Sequence, residues 1–209
     1  GVFLSSAGDR RIHFKTVNLR RVHLEVKKVF DNNLGQFLQT EQLISNADRN
    51  REFNTTYVNR VGVTVANEVL EIGEEENRWL IHELDLRKLI DPSEKGLYLL
   101  NIYFKRNDMI WDLEEDGDGY YYGDDYYNDP RSYGYLWSHG RIYKPLMVSD
   151  IGLIWKQAEG THTVYATGII NAKPLSGVKV SLRTYQNQTA AEGYTDREGK
   201  VRFNNINEN

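Results

Sequence analysis

The sequence predicts an all-β chain: tandem antiparallel β-sandwiches, with a short helix in the first. Three observations lead there. Apolar residues alternate with polar ones in short runs, as in Ile12/Phe14, Val22/Leu24/Val26 and Val178/Val180/Leu182, and a period of two marks a strand buried on one face. Polar turn sequences recur between those runs. Tyrosine is abundant, 14 residues against two methionines, and aromatic rings suit a pleated, half-buried surface.

Composition bounds the function classes. The chain has 209 residues, 40% hydrophobic and 27% charged, a globular balance long enough for one large or two smaller cores. A net charge of -4 argues against nucleic-acid binding, which needs surplus Lys and Arg to neutralise phosphate. The basic residues Arg10, Arg11, Arg20, Arg21, Lys27 and Lys28 are interleaved with strand-like residues and read as solvated strand faces. There is no cysteine, which removes disulfides, thiol chemistry and the commonest structural zinc sites. No apolar run nears the roughly 20 residues a membrane helix needs. The chain opens on strand-like sequence and stops in "FNNINEN", so it reads as part of something longer, with any targeting segment outside it.

In chain order, Ile12, Phe14 and Val17 suit one strand and Val22, Leu24 and Val26 the next. "TVNLRR" between them has no tight-turn dipeptide, which predicts a bend or crossover rather than a hairpin. "NLGQFLQTEQLI", 33–44, spaces Leu34, Phe37, Leu38 and Gln42 for a short helix with Asn32 or Asn33 as cap. A polar loop, 45–54, follows. Strands resume with Val61/Val63/Val65, with Trp79, Ile81, Leu84 and Leu86, and with "GLYLLNIYF" ending at Phe104. In Asp91–Gly96, proline sets φ and glycine supplies φ > 0 for a turn. Residues 108–129 form a long acidic and tyrosine-rich connection, and "RSYGYLWSHGRIYKPLMV" resumes apolar alternation.

Pro145 to Ser149 is the expected boundary, dividing the chain into 1–145 and 146–209. The second unit shows five strand-like segments: "SDIGLIWKQ", "THTVYATGIINAKPLSG", "VKVSLRTY", "TAAEGYTD" and "KVRF". Pro174 and Gly177 suit a turn, Thr195-Asp196 can bond the following backbone, Gly199 allows φ > 0, and Phe203 plugs the core. A unit of about sixty half-buried residues leans on a neighbour or is truncated.

The order Ser149-Asp150-Ile151-Gly152, Lys173-Pro174-Leu175-Ser176-Gly177, Lys179-Val180-Ser181-Leu182 and Thr195-Asp196-Arg197-Glu198-Gly199-Lys200-Val201-Arg202-Phe203 resembles a macroglobulin-type sandwich domain of bacterial alpha-2-macroglobulins. "VNLRRVHLEVKKVFDNNLGQFLQ" (17–39) and "DPSEKGLYLLNIYFKR" (91–106) resemble the domain lying just before it. The resemblance implies two consecutive N-terminal macroglobulin-like sandwiches, of the macroglobulin, immunoglobulin or fibronectin-III kind. It also implies a large periplasmic endopeptidase inhibitor, anchored as a lipoprotein in some members. In such proteins a protease cuts a bait segment, the domains rearrange and an internal thioester can capture it. A chain without cysteine holds no such thioester. The implied partners are neighbouring macroglobulin domains and, through the full-length protein, proteases.

Candidate sites have plainer readings. Asp116-Gly117-Asp118-Gly119 resembles the start of a calcium loop, but Tyr120 and Tyr122 stand where further ligands belong, which favours a solvated acidic loop. His13, His23, His82, His139 and His162 form no H-x-x-x-H or H-E-x-x-H pattern. Ser138-His139 near Asp129 lacks a nucleophile elbow, and Glu74-Glu75-Glu76 reads as a turn. No catalytic, cofactor-binding or metal-ligating residue is assigned, and the expectation is a non-enzymatic scaffold with no cleft of converging ionisable groups. The alternative is an adhesin or carbohydrate-binding surface module, with a carboxypeptidase-regulatory-like sandwich, using the Asp/Tyr loop.

Overall fold

The structure, a computed structural model, describes residues 2–40, 55–110, 126–130 and 132–206. The acidic loop expected at 108–129 lies largely outside them, as does the Asp116–Gly119 stretch. The end of the 33–44 helix and the 45–54 loop lie outside them too.

The first half is organised on one five-stranded sheet in the order β1-β7-β6-β3-β4. Its strands are β1 (Val2–Leu4), β3 (Arg21–Val29), β4 (Gly62–Glu71), β6 (Gly96–Tyr103) and β7 (Arg141–Val148). Four of the strands pair antiparallel, whereas β1 runs parallel to β7. A separate antiparallel pair, β2 (Arg11–Thr16) with β5 (Leu80–Asp85), covers one face. Chain passage from β2 to β3 is therefore a crossover between sheets, as "TVNLRR" predicts, with Asn18 at φ 54.

β6 occupies the middle of the sheet, and its residues from Leu97 to Ile102 are buried throughout. Tyr98, Leu100 and Ile102 pack with Val22, Leu24 and Val26 of β3, Ile12 and Phe14 of β2 and Leu84 of β5. Leu97 and Leu99 face the other way, against Phe37, Val58 and Val61. Those three belong to two short helices, α1 (Leu34–Thr40) and α2 (Thr55–Val61). A strand covered on both faces reads as a continuous apolar run rather than an alternation, which is the form of "LYLLNI".

Several local expectations change. A 3-10 turn, Asp31–Asn33, leads into α1; it starts at Phe30 with no side-chain cap. Val61 closes α2 instead of opening a strand, and Val63 and Val65 lie exposed on the edge strand β4, where a register shift opposite Val26/Lys27 breaks the alternation. β5 faces the opposite way from the reading of "RWLI": Trp79 and Ile81 are exposed, while His82 and Leu84 lie on the inner side. Burying Leu84 and Leu86 decides the register, since a one-residue slip would turn both to solvent. His82 is accepted there through Thr16 Oγ1, 2.7 Å from its Nε2, and a tilted contact with Phe14. "YGYLWSH" forms a helix, α3 (Tyr133–His139), because Ser132 Oγ accepts from Tyr135 N at 3.0 Å and Gly140 closes it.

β7 runs to Val148, so Leu146 and Val148, beyond the 145/146 division read from the sequence, are buried in the first core. The second half follows after one residue pair. β8 (Ile151–Ala158), β9 (Thr161–Gly168) and β12 (Lys200–Phe203) form one sheet in the order β12-β9-β8. β10 (Lys179–Arg183) and β11 (Thr189–Tyr194) form another. Val164, Val180, Val201 and Phe203 fill the space between, joined by Val178 and Leu182. Glu159 (φ 47) and Gly160 (φ 71) turn β8 into β9, the pair of positive φ values a two-residue hairpin favours.

The T-D-x-x-G segment does what its residues imply. Buried Thr195 donates through Oγ1 to Leu175 O at 2.6 Å and accepts from Val178 N at 2.9 Å. Asp196 Oδ1 accepts from the backbone of Glu198 and of Lys200, each at 2.9 Å. Gly199 sits at φ +72, where a Cβ would stand 2.5 Å from Ala166 O. Gly199→Ala is thus expected to destabilise the chain by about 2–3 kcal/mol. Gly160→Ala, at φ +71 with nothing nearby, should cost only about 1 kcal/mol. Urea denaturation of the two variants measures the difference.

Candidate functional site

Two features stand out: the junction between the halves and a polar hollow on the sheet. At the junction β7 ends at Val148, Ser149 N donates to Leu4 O at 2.9 Å, and Asp150 follows at once. Asp150 Oδ1 accepts from Ser6 N and Oδ2 from Ser6 Oγ, both at 2.6 Å, and Lys95 Nζ pairs with Oδ2. Lys95, followed by the Ser6 hydrogen bonds, holds the Asp150 carboxyl far below the usual carboxylate range. The residues meeting there come from the turn after β1, the turn before β6 and the start of β8.

Beneath this cluster lies Arg10, 1% exposed. Its Nε donates to Ser5 O at 3.4 Å and its Nη2 to Pro92 O at 3.0 Å, while Nη1 has no hydrogen-bond partner. Arg10 thus binds together the backbones of the two turns that present Ser6 and Lys95. A second contact joins the halves at the other end. Asn187 Nδ2 donates to Asn32 O at 3.4 Å and Gln39 Nε2 to Tyr185 O, so the β10–β11 turn rests on the 3-10 turn before α1 and on the last turn of α1. Asn187 holds its turn at φ 62.

The hollow lies on the half of the five-stranded sheet's face next to α2. It measures about 340 Å3 and is lined by Glu25, Lys27, Leu99, Asn101, Arg141 and Val58, among others. The strand registers Glu25↔Asn101 and Lys27↔Leu99 set these side chains on one face. Burial pushes the Glu25 carboxyl up, but Lys27 at 2.8 Å, with Asn101 and Thr64, outweighs it and keeps the group below its ordinary value. A few residues along β3, Arg21 Nε (2.6 Å) and His23 Nε2 (2.8 Å) both bind the buried carboxylate of Asp108. The expectation of no cleft with ionisable groups therefore needs correcting: a cleft exists, and two paired charges and Arg141 line it. The strand period hides this in sequence, because Glu25 and Lys27 read as the solvent side of β3 while their neighbours come from β6 and β7.

The residues weighed in the sequence are dispersed. His13 lies exposed beside Glu83 at 3.5 Å, and His82 is lowered by burial. His162 Nδ1 accepts from Trp155 Nε1 at 3.2 Å. His139 Nδ1 is 2.9 Å from Ser138 Oγ, but that hydroxyl also donates to Gly134 O within α3 at 2.7 Å, a local helix contact. Glu75 pairs with Arg78 at 2.8 Å. Among the described residues no group of three His, Asp or Glu is placed to hold a metal, and no helix is long and apolar enough to cross a membrane.

The junction makes two predictions. Arg10→Ala should destabilise the fold by about 3 kcal/mol, because hydrogen bonds from a charged donor are worth roughly 1.5–3 kcal/mol and the side chain is buried. Asp150 has a depressed folded pKa, so its stabilisation is complete above the ordinary aspartate value and lost as pH falls towards the folded one. Compared with Asp150→Asn, the unmodified chain should therefore lose additional thermal stability below about pH 4. The Ser6 amide resonance should titrate over that same acid range.

Comparisons with known proteins bear on one segment and on the whole chain. Residues 148–209 match the family described as "Bacterial alpha-2-macroglobulin MG3 domain". Over its whole length the chain is 25% identical to an alpha-2-macroglobulin of Rickettsia conorii, of which it spans 10%. Crystal structures of Escherichia coli alpha-2-macroglobulin share its fold. The trypsin-activated form matches 97% of this chain and 12% of its own, with TM-score 0.61 and 17% identity. A native piece spanning domains NIE-MG1 matches 92% of this chain and 77% of its own, with TM-score 0.59 and 16% identity. Residues 148–209 thus match the bacterial MG3 domain family, and the whole chain is similar to bacterial alpha-2-macroglobulins, spanning about a tenth of the length of the curated relatives it matches.

Proposed function

We propose that these residues are a non-catalytic scaffold, two macroglobulin-like sandwiches meeting near Ser149, within a longer protein that traps proteases. The observation carrying this reading is the similarity, on both sides of the junction, to a protein named alpha-2-macroglobulin and about ten times longer. The joint is consistent with it. Asp150, Ser6, Lys95 and Arg10 fasten the halves without a linker, which suits a part that transmits movement rather than absorbs it.

A surface on the second half suits a neighbouring domain of the same longer chain. Leu153 and Trp155 pair across β8–β9 with Ala166 and Val164, so they lie on the core side of the sheet, since directly opposed residues share a face. Yet they are 62% and 61% exposed, and Ile151 beside them is 40% exposed. An apolar row of this kind, continuous with a core, marks a contact surface. The proposed location is the cell envelope or periplasm, with any lipoprotein anchor outside these residues.

In the longer protein, replacing Leu153 and Trp155 with serine should lower both the melting temperature and the yield of a protease complex stable to gel filtration. The 209-residue chain alone should lose little stability from the same change, because the two side chains are already exposed. Unchanged trapping and melting in the longer protein would defeat the proposed contact. Proteolytic or glycosidase activity in the chain alone would defeat the scaffold reading.

A further inference from the structure

The hollow beside α2 has unmet binding capacity, independent of the scaffold role. At about 340 Å3 it falls in the roughly 300–1,000 Å3 range of small-ligand sites. Asn101 is 6% exposed, its Nδ2 donates to Glu25 Oε2 at 3.4 Å, and its Oδ1 has no hydrogen-bond partner. Turning the amide round would set oxygen against oxygen at Glu25, so Glu25 itself selects the orientation that leaves a carbonyl oxygen empty. Arg141 is the second uncommitted group. Its guanidinium reaches the Tyr143 hydroxyl at 3.4 Å and pairs with no carboxylate among the described residues. Lys27, by contrast, is neutralised by Glu25.

The two groups share a face. Asn101 stands opposite Tyr143, and Arg141 follows two residues before it along β7, a diagonal spacing of about 7–8 Å that a long side chain bridges. One needs an N–H, and the other offers a planar fork suited to a carboxylate. Leu99 and Val58 supply an apolar wall. Glu25, Lys27 and Arg141 together leave one positive charge, which favours a ligand of one negative charge over a zwitterion.

We propose that this hollow binds an α-carboxylate next to an N–H and an apolar side chain, as at the carboxy-terminal residue of a peptide. The carboxylate sits on Arg141, the N–H donates to Asn101 Oδ1, and the side chain rests on Leu99 and Val58. A free apolar amino acid offers the same atoms but adds an ammonium charge.

The test is an NMR titration of the 209-residue chain with N-acetyl-leucine, N-acetyl-leucinamide and free leucine, following the Asn101 side-chain amide and Arg141 Nε. N-acetyl-leucine should bind saturably, with the amide lacking a carboxylate at least about tenfold weaker. Arg141→Gln should weaken it by about tenfold or more without moving the melting temperature, since Arg141 is exposed. Leucine weaker than N-acetyl-leucine supports a peptide end, whereas leucine binding as well or better supports the site with a free amino acid as its ligand. No saturable shift below about 50 mM, or binding indifferent to the carboxylate or to Arg141→Gln, overturns the proposal.

Discussion

One carboxylate governs how the chain passes from its first sheet to its second. Asp150 follows the last strand of the five-stranded sheet by two residues and immediately precedes β8, so any rotation there would swing the whole second half. Its two oxygens are taken by the Ser6 backbone, the Ser6 hydroxyl and the Lys95 ammonium, groups brought to the end of β7 by the parallel pairing of β1 on one side and the turn before β6 on the other. An exposed ion pair alone contributes little. Here the same carboxylate also receives a backbone donor, and the turns presenting its partners are held from below by Arg10. Sequence-distant loops thus converge on a junction two residues wide.

The central strand explains both what is rigid and what is open in the first half. β6 is buried on both faces at its start, where α1 and α2 cover Leu97 and Leu99 and the β2–β5 pair covers Tyr98 and Leu100. Towards Asn101 and Tyr103 the helices no longer reach. The same face then carries Glu25, Lys27, Asn101 and Arg141, and packing gives way to a polar hollow. A sheet half clothed by helices yields a wall of fixed strands beside a recess, and fixed strands hold side chains more precisely than loops do. The fold that suits a scaffold therefore also leaves a place where a small ligand could be recognised.

The second half is held differently. Its core is small, with Val164, Val180, Val201 and Phe203 between a three-stranded and a two-stranded sheet. Turn chemistry supplies much of its definition: Thr195 and Asp196 satisfy backbone groups that would otherwise be left unpaired where the strands meet, and Gly199 lets two backbones approach. Two short sheets leave the inner face of β8 uncovered at Leu153 and Trp155.

Sequence alone determined the strands with strong alternation, the turns at Asp91–Gly96 and Thr195–Gly199, and the resemblance that the comparisons support. Each of those signals is local: a period of two, or a glycine whose φ only glycine accepts readily. Only the tertiary structure decided the orientation of β5, the helix at Tyr133–His139 in a stretch that also alternates, the parallel pairing of β1, and the partners of Arg10, Asp150, Asn101 and Arg141. Those outcomes depend on residues up to 144 positions apart, as Ser6 and Asp150 are. A periodic pattern records which side of an element is apolar, but it carries no record of which distant element will complete a hydrogen bond or leave one unmade.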